Sequence, residues 1–282
     1  KKVYLIMSIF MLVGIFATIS SDEPKIRKNQ KKDNHFKFLL TIFLAVIGFI
    51  LLYSIINNPY EKNDIFLGFI FSVTRLIICF IFAFFIINLL ILTKFTSKQK
   101  ISQSYLGPIT NFLKRYGKFA VLILLLISLY RIADVVMGVM ANIFYLEKGY
   151  KISEIATFSK FFGVFATIIG GFIGGYCSYK FGTMKALFFG ALIAALSNLL
   201  FAWLAISPLS INFLIAVITA DNISSGFAGA AFVIYLSGLT SIKFTATQYA
   251  LFSSIMLFLP KLIAGYAGSW VDVMGYAYFF SL

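Results

Sequence analysis

The stretch FAVLILLLISLYRIADVVMGVMANIFYL, residues 119–146, decides the class of fold. It is longer than the roughly 20 apolar residues a helix needs to cross a hydrocarbon core about 30 Å thick, and its only charges are Arg131 and Asp134. Its apolar residues run on without the every-second-residue alternation of an outer-membrane barrel strand, so the spanning element is a helix. The rest of the chain agrees. Of 282 residues, 61% are hydrophobic and 12% charged, with a mean hydropathy of +0.95, far from the averages of soluble domains. The sequence is that of an all-α, polytopic helical membrane protein.

Working outward, further apolar runs fall at residues 3–20, 37–57, 65–92, 153–179, 184–206, 211–239 and 245–268, and a last one at 274–282 is only about two and a half turns long. This predicts about nine spans, the last truncated. The first residue is Lys1 rather than Met, and the run 3–20 lacks the short core and small-residue cleavage site of a signal peptide. It reads as a true span of an incomplete chain.

The net charge of +14 could suggest nucleic acid, but its placement argues against that partner. With alternating spans, the basic residues at positions 25–37, 94–118, 180 and 185 and Lys243 all fall on one side, against Lys1, Lys2, Lys62, Lys148 and Lys151 on the other. The positive-inside rule makes the first group cytoplasmic, with attraction to the anionic surface of the lipid bilayer as a second effect. Cys79 and Cys177 lie within spans and read as reduced, packed thiols. His35 stands in a basic loop, and no second His or Cys keeps metal-ligand spacing with it. No nucleophile motif or phosphate loop is present, so the sequence points to no enzyme, cofactor or metal.

Function is sought where the spans carry residues that lipid penalises. An ionisable residue at the centre of a membrane helix opposes insertion by about 2.5 to 3.5 kcal/mol. Arg131, Asp134, Gly138, Ala141 or Asn142, and Tyr145 recur at helical spacing and form one polar, small-residue stripe. Mutual neutralisation is the plainer meaning of Arg131 with Asp134. Asp221 lies about ten residues inside its span, followed by Asn222, Ser224 and Ser225, with no basic residue within a turn. A carboxylate there is expensive to keep ionised, which suits a proton carrier, although a structural aspartate bonded to serines is an open alternative. Lys261 follows Pro260 in mid-span, where proline frees backbone carbonyls. Lys160 lies closer to the outer surface and can snorkel. Arg75, in an early span, reads as structural. Gly163, Thr167, Gly170 and Gly174 share a helix face, which lets two backbones approach closely.

The segments LYRIADVVMGVM, FSKFFGVFATIIGGFIGG, ADNISSGFAGAAFVIYL and FTATQYALFSSIMLFLPKLIAGYAGSWVDVMGY resemble, in order and spacing, the second half of the AmpG muropeptide permease family, a branch of the major facilitator superfamily. The resemblance runs from about Leu126 onward, and its most specific parts are the acidic residue with Asn-x-Ser-Ser-Gly at 221–226 and the run ATQYAL at 246–251. It implies two six-helix halves with the substrate site between them. On that mapping residues 1–20 hold the sixth core span of a missing N-terminal half. Residues 21–118 would be central loops with an extra pair of transmembrane helices, and residues 119–282 the C-terminal half. The helices carrying Arg131 with Asp134, and Asp221, would be cavity helices seven and ten. The chain departs from the superfamily pattern at Ser178, where an aspartate is expected, while Lys180, Gly182 and Lys185 persist.

The resemblance implies a proton-coupled importer of anhydromuropeptides in the inner membrane of a Gram-negative bacterium, serving peptidoglycan recycling. Such substrates carry several carboxylates. Arg131, Lys160 and Lys261 are expected to supply a positive field, Asn142, Tyr145 and Asn222 to contact sugar or peptide, and Asp221 to carry the proton while Asp134 orients Arg131. A facilitator for another solute, a membrane protein that transports nothing, and the inactive remnant of a split gene are the rivals.

Overall fold

The computed structural model describes residues 11–12, 14–20, 35–57, 59 and 64–282. By internal contacts the chain divides into Lys1–Lys37 and Phe38–Leu282. In the first unit the described residues between 11 and 20 are helical, and Thr18 returns its hydroxyl to the Gly14 carbonyl over 2.8 Å. The remainder of the expected span 3–20 lies outside the described residues.

The helices that follow are α1 (His35–Ile55), α2 (Ile65–Leu92), a short α3 (Gly107–Tyr116), α4 (Phe119–Leu129), α5 (Ile132–Lys148), α6 (Gly163–Phe181), α7 (Thr183–Ile206), α8 (Ile211–Leu239), α9 (Thr245–Ala264) and α10 (Ala267–Ser281). A helical turn and a π-helical segment, Ala156–Phe162, lead into α6. Among the described residues, seven helical stretches are long and apolar enough to cross a membrane: Phe36–Ile55, Ile65–Leu92, Phe119–Lys148, Ile152–Phe181, Thr183–Ile206, Ile211–Leu239 and Ile242–Ala264. They coincide with the hydropathic runs because nothing but a helix satisfies every backbone N–H and C=O within lipid.

The ends are set by local chemistry. Asp64 caps α2 by accepting from the Leu67 amide at 3.0 Å, and Ser210 accepts from Phe213 at the start of α8. Gly149 ends α5 in the left-handed region at φ 104. Beside it the Lys148 ammonium donates to the Ala205 and Ser207 carbonyls at 2.7 and 2.6 Å, satisfying the exit of α7.

Two apolar clusters hold the bundle. One gathers Met140, Phe144, Tyr145, Phe201, Leu214 and Phe280 from α5, α7, α8 and α10; the other joins Phe112, Ile127, Leu187, Phe232 and Phe252 from α3, α4, α7, α8 and α9. The α6–α8 seam is closer than side chains allow. A Cβ at Gly170 would overlap the Ile223 carbonyl oxygen, one at Gly174 the Phe227 carbonyl, and one at Gly226 the Thr167 carbonyl. The glycine face expected to admit a close neighbour does so, and the neighbour is α8.

The structure differs from the sequence reading in two places. Residues 269–273, expected as a loop, are helical: buried Val271 gives them a face to pack, and the chain turns instead at Gly275, whose φ of 77 suits glycine. The span from Phe119 runs as expected to Lys148 but is interrupted within it at Tyr130 and Arg131, where α4 gives way to α5.

Helices α1 and α2 are stitched together by Arg75, whose guanidinium donates to the Tyr53 carbonyl and lies 3.6 Å from the centre of the Tyr53 ring. α2 touches α9 and α10 through the Ser72–Tyr266 hydroxyl pair at 2.7 Å and the Phe80–Phe258 ring contact.

Candidate functional site

The interruption in the span is the centre of the candidate site. Arg131 takes φ −102 and ψ 6, outside the helical region, and α5 begins after it. Asp134 therefore occupies the first turn of a helix that starts inside the membrane. The amides there have no intrahelical acceptors and carry the positive end of the helix dipole, which favours a carboxylate. Tyr130 fixes the break from outside: its hydroxyl donates to the Leu187 carbonyl of α7 at 3.0 Å, and its ring stacks on Phe232 of α8 with centroids 4.8 Å apart.

Arg131 Nη1 stands 2.8 Å from Asp134 Oδ2, with both side chains mostly buried. The contact is an ion pair without hydrogen-bond alignment, and the buried Nη1 has no hydrogen-bond acceptor among the described residues. The guanidinium lies against α8, since a Cβ at Gly229 would sit in ordinary contact, 3.7 Å from Nη1. Asp221, on the same helix, is within electrostatic reach of Asp134, and the Tyr145 hydroxyl also feels Asp221. Among the described residues no hydrogen bond or ion pair reaches the Asp221 carboxylate. The structure thus pairs Arg131 with Asp134 and brings Asp134, Asp221 and Tyr145 within electrostatic reach of one another between α5 and α8.

The other candidates fall elsewhere. Asn222 turns toward α6: its amide donates to the Ile218 carbonyl at 2.8 Å, and its oxygen accepts from Thr167 at 3.0 Å. It is a rivet between two helices. Tyr145 is buried, its ring against Phe201 of α7. Asn142 is exposed on α5, one turn from Gly138, where a Cβ would meet nothing within 4 Å. Lys160 lies exposed in the π-helical segment before α6, and Lys261 lies exposed on α9 after buried Pro260. Neither has a hydrogen bond or ion pair among the described residues, and no contact joins either to Arg131. Ser178, where an aspartate was expected, is buried and donates to its own helix at Gly174.

A cavity of about 460 Å³ opens on another face of α5, lined by Ala133, Met137, Asn198, Ile263, Trp270 and Phe280 among others, with no charged side chain. Its apolar walls do not suit a carboxylate-bearing ligand.

Sequence reasoning missed two groups. Tyr130 gave no signal beyond its place beside Arg131. At the outer end, Tyr276 donates to Glu147 at 2.9 Å and Tyr150 donates to the Ser210 carbonyl at 3.0 Å. Burial raises the Tyr150 phenol above its ordinary pKa, with the Ser210 amide, which donates to the phenol oxygen at 3.5 Å, opposing and the Glu154 carboxylate adding to the rise.

The chain is similar to proteins of known name. It is 33% identical over 251 residues to "Putative transporter AmpG 4" of Rickettsia felis, covering 87% of this chain and 58% of that protein. It is 36% identical over 194 residues to the protein of the same name in Rickettsia conorii, covering 69% of this chain and 45% of the other. To "Putative transporter AmpG 1" of Rickettsia bellii it is 38% identical over 150 residues, 52% of this chain and 37% of the relative. No family model matches. The chain spans about half the length of these curated relatives. A multi-pass helical bundle with this similarity over most of its length belongs to the AmpG-like family.

Proposed function

We propose that this chain supplies part of a proton-coupled transporter of the major facilitator superfamily that imports anhydromuropeptides through the inner membrane of a Gram-negative bacterium. Residues 119–282 are its C-terminal half, residues 21–118 its central loops with the extra helix pair, and residues 1–20 the sixth core span. The observation that carries the reading is Arg131 Nη1, a buried cationic donor with no aligned acceptor, next to a carboxylate that can exchange for one on a substrate. Guanidinium and carboxylate match in charge and in planar geometry.

Arg131 receives a substrate carboxylate, Asp134 holds the guanidinium in place before substrate arrives, and Asp221 carries the proton. Asn142 contacts sugar or peptide from the open face of α5, Lys160 and Lys261 extend the positive field, and Tyr145 and Asn222 support the site from within the bundle. The names of the Rickettsia relatives support transport; the substrate is argued from the resemblance in the motifs and from the cationic site.

The test is uptake of labelled anhydromuropeptide by cells lacking their own importer, expressing this chain alone or with the N-terminal half of the R. felis relative. Arg131→Gln is expected to lower uptake about 100-fold, the loss of a charge-assisted hydrogen bond of about 3 kcal/mol. Asp221→Asn is expected to abolish the acceleration by external acid. An Asp221→Asn protein importing at the parent's rate, with the parent's pH dependence, overturns the proton assignment. Uptake that muropeptides do not compete for would favour another solute, and no uptake in either form would favour a remnant.

A further inference from the structure

We propose that Gln248 is a positioning residue for the candidate site, acting from the inner end of the bundle through α3. The inference rests on reading the group Arg131, Asp134 and Asp221 as that site. Gln248 lies in the run ATQYAL, is fully buried, and uses both ends of its amide on other elements. Its Nε2 donates to the Pro108 carbonyl at 2.8 Å and to Asn111 Oδ1 at 3.2 Å, both on α3, and its Oε1 accepts from the Ser241 amide at 2.7 Å, just past the end of α8. One side chain in the first turn of α9 thereby ties α3 to the exit of α8. A carboxamide suits the post, because it offers a donor and an acceptor on one planar group without a charge to desolvate.

Two further contacts make the joint rigid. The Arg115 guanidinium of α3 donates to the Leu239 and Thr240 carbonyls, satisfying the C-terminal end of α8 with a cation. Phe112 of α3 is buried against Phe252 of α9, with centroids 5.0 Å apart. α3 itself runs into α4 through Gly117, whose φ of 53 makes a sharp joint with no slack residues to absorb movement. α4 then ends at Tyr130 and Arg131. The height of α4, and so of Arg131, is set against α8 by α3, which Gln248 holds together with Arg115 and Phe112. If the Gln248 bonds are lost, α8 can slide along α4 and α5, and Arg131 loses its place beside Gly229.

Two readouts that involve no transport test this in the full chain in lipid nanodiscs. The first is hydrogen exchange in a peptide covering residues 236–245. Gln248→Met keeps the volume and removes every hydrogen bond, and should speed exchange of the Ser241 amide about tenfold. Gln248→Glu keeps an acceptor for the Ser241 amide whether ionised or not, so that amide should stay protected at pH 8 and pH 5, while the donor to Pro108, and with it the tie to α3, should be lost only at the higher pH. Packing alone predicts no such pH dependence.

The second readout reports the register at the site. The thiol introduced by Gly229→Cys would stand beside Arg131, which should favour the thiolate, so its alkylation at pH 7, read by peptide mass to separate it from Cys79 and Cys177, should be fast. Adding Gln248→Met should slow it about tenfold, and adding Gln248→Glu should slow it only at the higher pH. Unchanged alkylation with faster exchange in Gln248→Met overturns the positioning role and leaves a local staple; unchanged exchange in that variant overturns the joint itself. Transport assays fail or succeed separately, so an incorrect substrate would not alter either outcome.

Discussion

The α6–α8 seam gives a sharp prediction through Gly170. A Cβ built there lies 2.9 Å from Ile223 Cα and closer still to the Ile223 carbonyl oxygen, where ordinary contact is 3.4–4 Å. Both obstructing atoms are backbone, so no rotamer change relieves them, and the helices must separate by at least about half an ångström at this level. The strain of overpacking is about 1 to 3 kcal/mol. The Thr167–Asn222 hydrogen bond, 3.0 Å long and one turn away, stretches toward its limit and gives up about 1 kcal/mol more. Gly170→Ala should therefore destabilise the bundle by about 2 to 4 kcal/mol. Gly175, on the same helix with nothing within 4 Å of its Cβ position, is the control, and Gly175→Ala should stabilise by up to about 1 kcal/mol through helix propensity. Reversible unfolding in mixed micelles, followed by far-ultraviolet circular dichroism, measures both. If the two alanine variants unfold at the same denaturant concentration, the seam is not backbone-limited and the reasoning is refuted.

Lys148→Met removes the ammonium that caps the exit of α7 at Ala205 and Ser207, and should cost about 1 to 2 kcal/mol in the same assay, with faster hydrogen exchange confined to residues 205–210. Tyr130→Phe keeps the stack on Phe232 but loses the bond to Leu187, and should cost about 1 kcal/mol while leaving the fold intact. Tyr150 is buried and its phenol is raised in the folded state, so its share of stability is complete below the ordinary phenol pKa of about 10 and is lost as pH rises through the higher folded value. A Tyr150→Phe protein should lack that alkaline loss in a pH series of unfolding midpoints, and an identical series for the two proteins would contradict the assignment.

The span limits were legible because lipid imposes one rule on every residue of a span, and Ile65–Leu92 and Ile211–Leu239 fall where hydropathy alone places them. The charged members of the site were legible for the same reason, since Arg131, Asp134 and Asp221 stand out against apolar surroundings. What could not be read locally depends on distant partners. No proline or glycine marks the break at Tyr130 and Arg131; it is held by Leu187 and Phe232 from two other helices. Asn222 looks like a ligand-binding residue beside Asp221 until Thr167 on α6 is found to occupy its oxygen. Gln248 stood out as part of a motif, but its role requires Pro108 and Asn111, residues it meets only in the folded bundle.

The break and the acid pair explain each other. A helix that runs unbroken past Arg131 would spend its amides on its own carbonyls and leave Asp134 to the guanidinium alone. Starting a new helix at Ile132 places the same carboxylate in a first turn, at the positive end of a dipole. Asp134 is thus supported from two directions, and Arg131 is not obliged to satisfy it completely, which agrees with the unaligned ion pair and the acceptor-free Nη1. Asp221, within electrostatic reach of Asp134, adds a second carboxylate to the one guanidinium, and the three charges balance only when one acid holds a proton. An incoming anion that pairs with Arg131 adds a negative charge to that balance, and a second proton restores it. In the proposed transporter, binding of a carboxylate at Arg131 and uptake of a proton at Asp221 would then be linked through the charge these residues share.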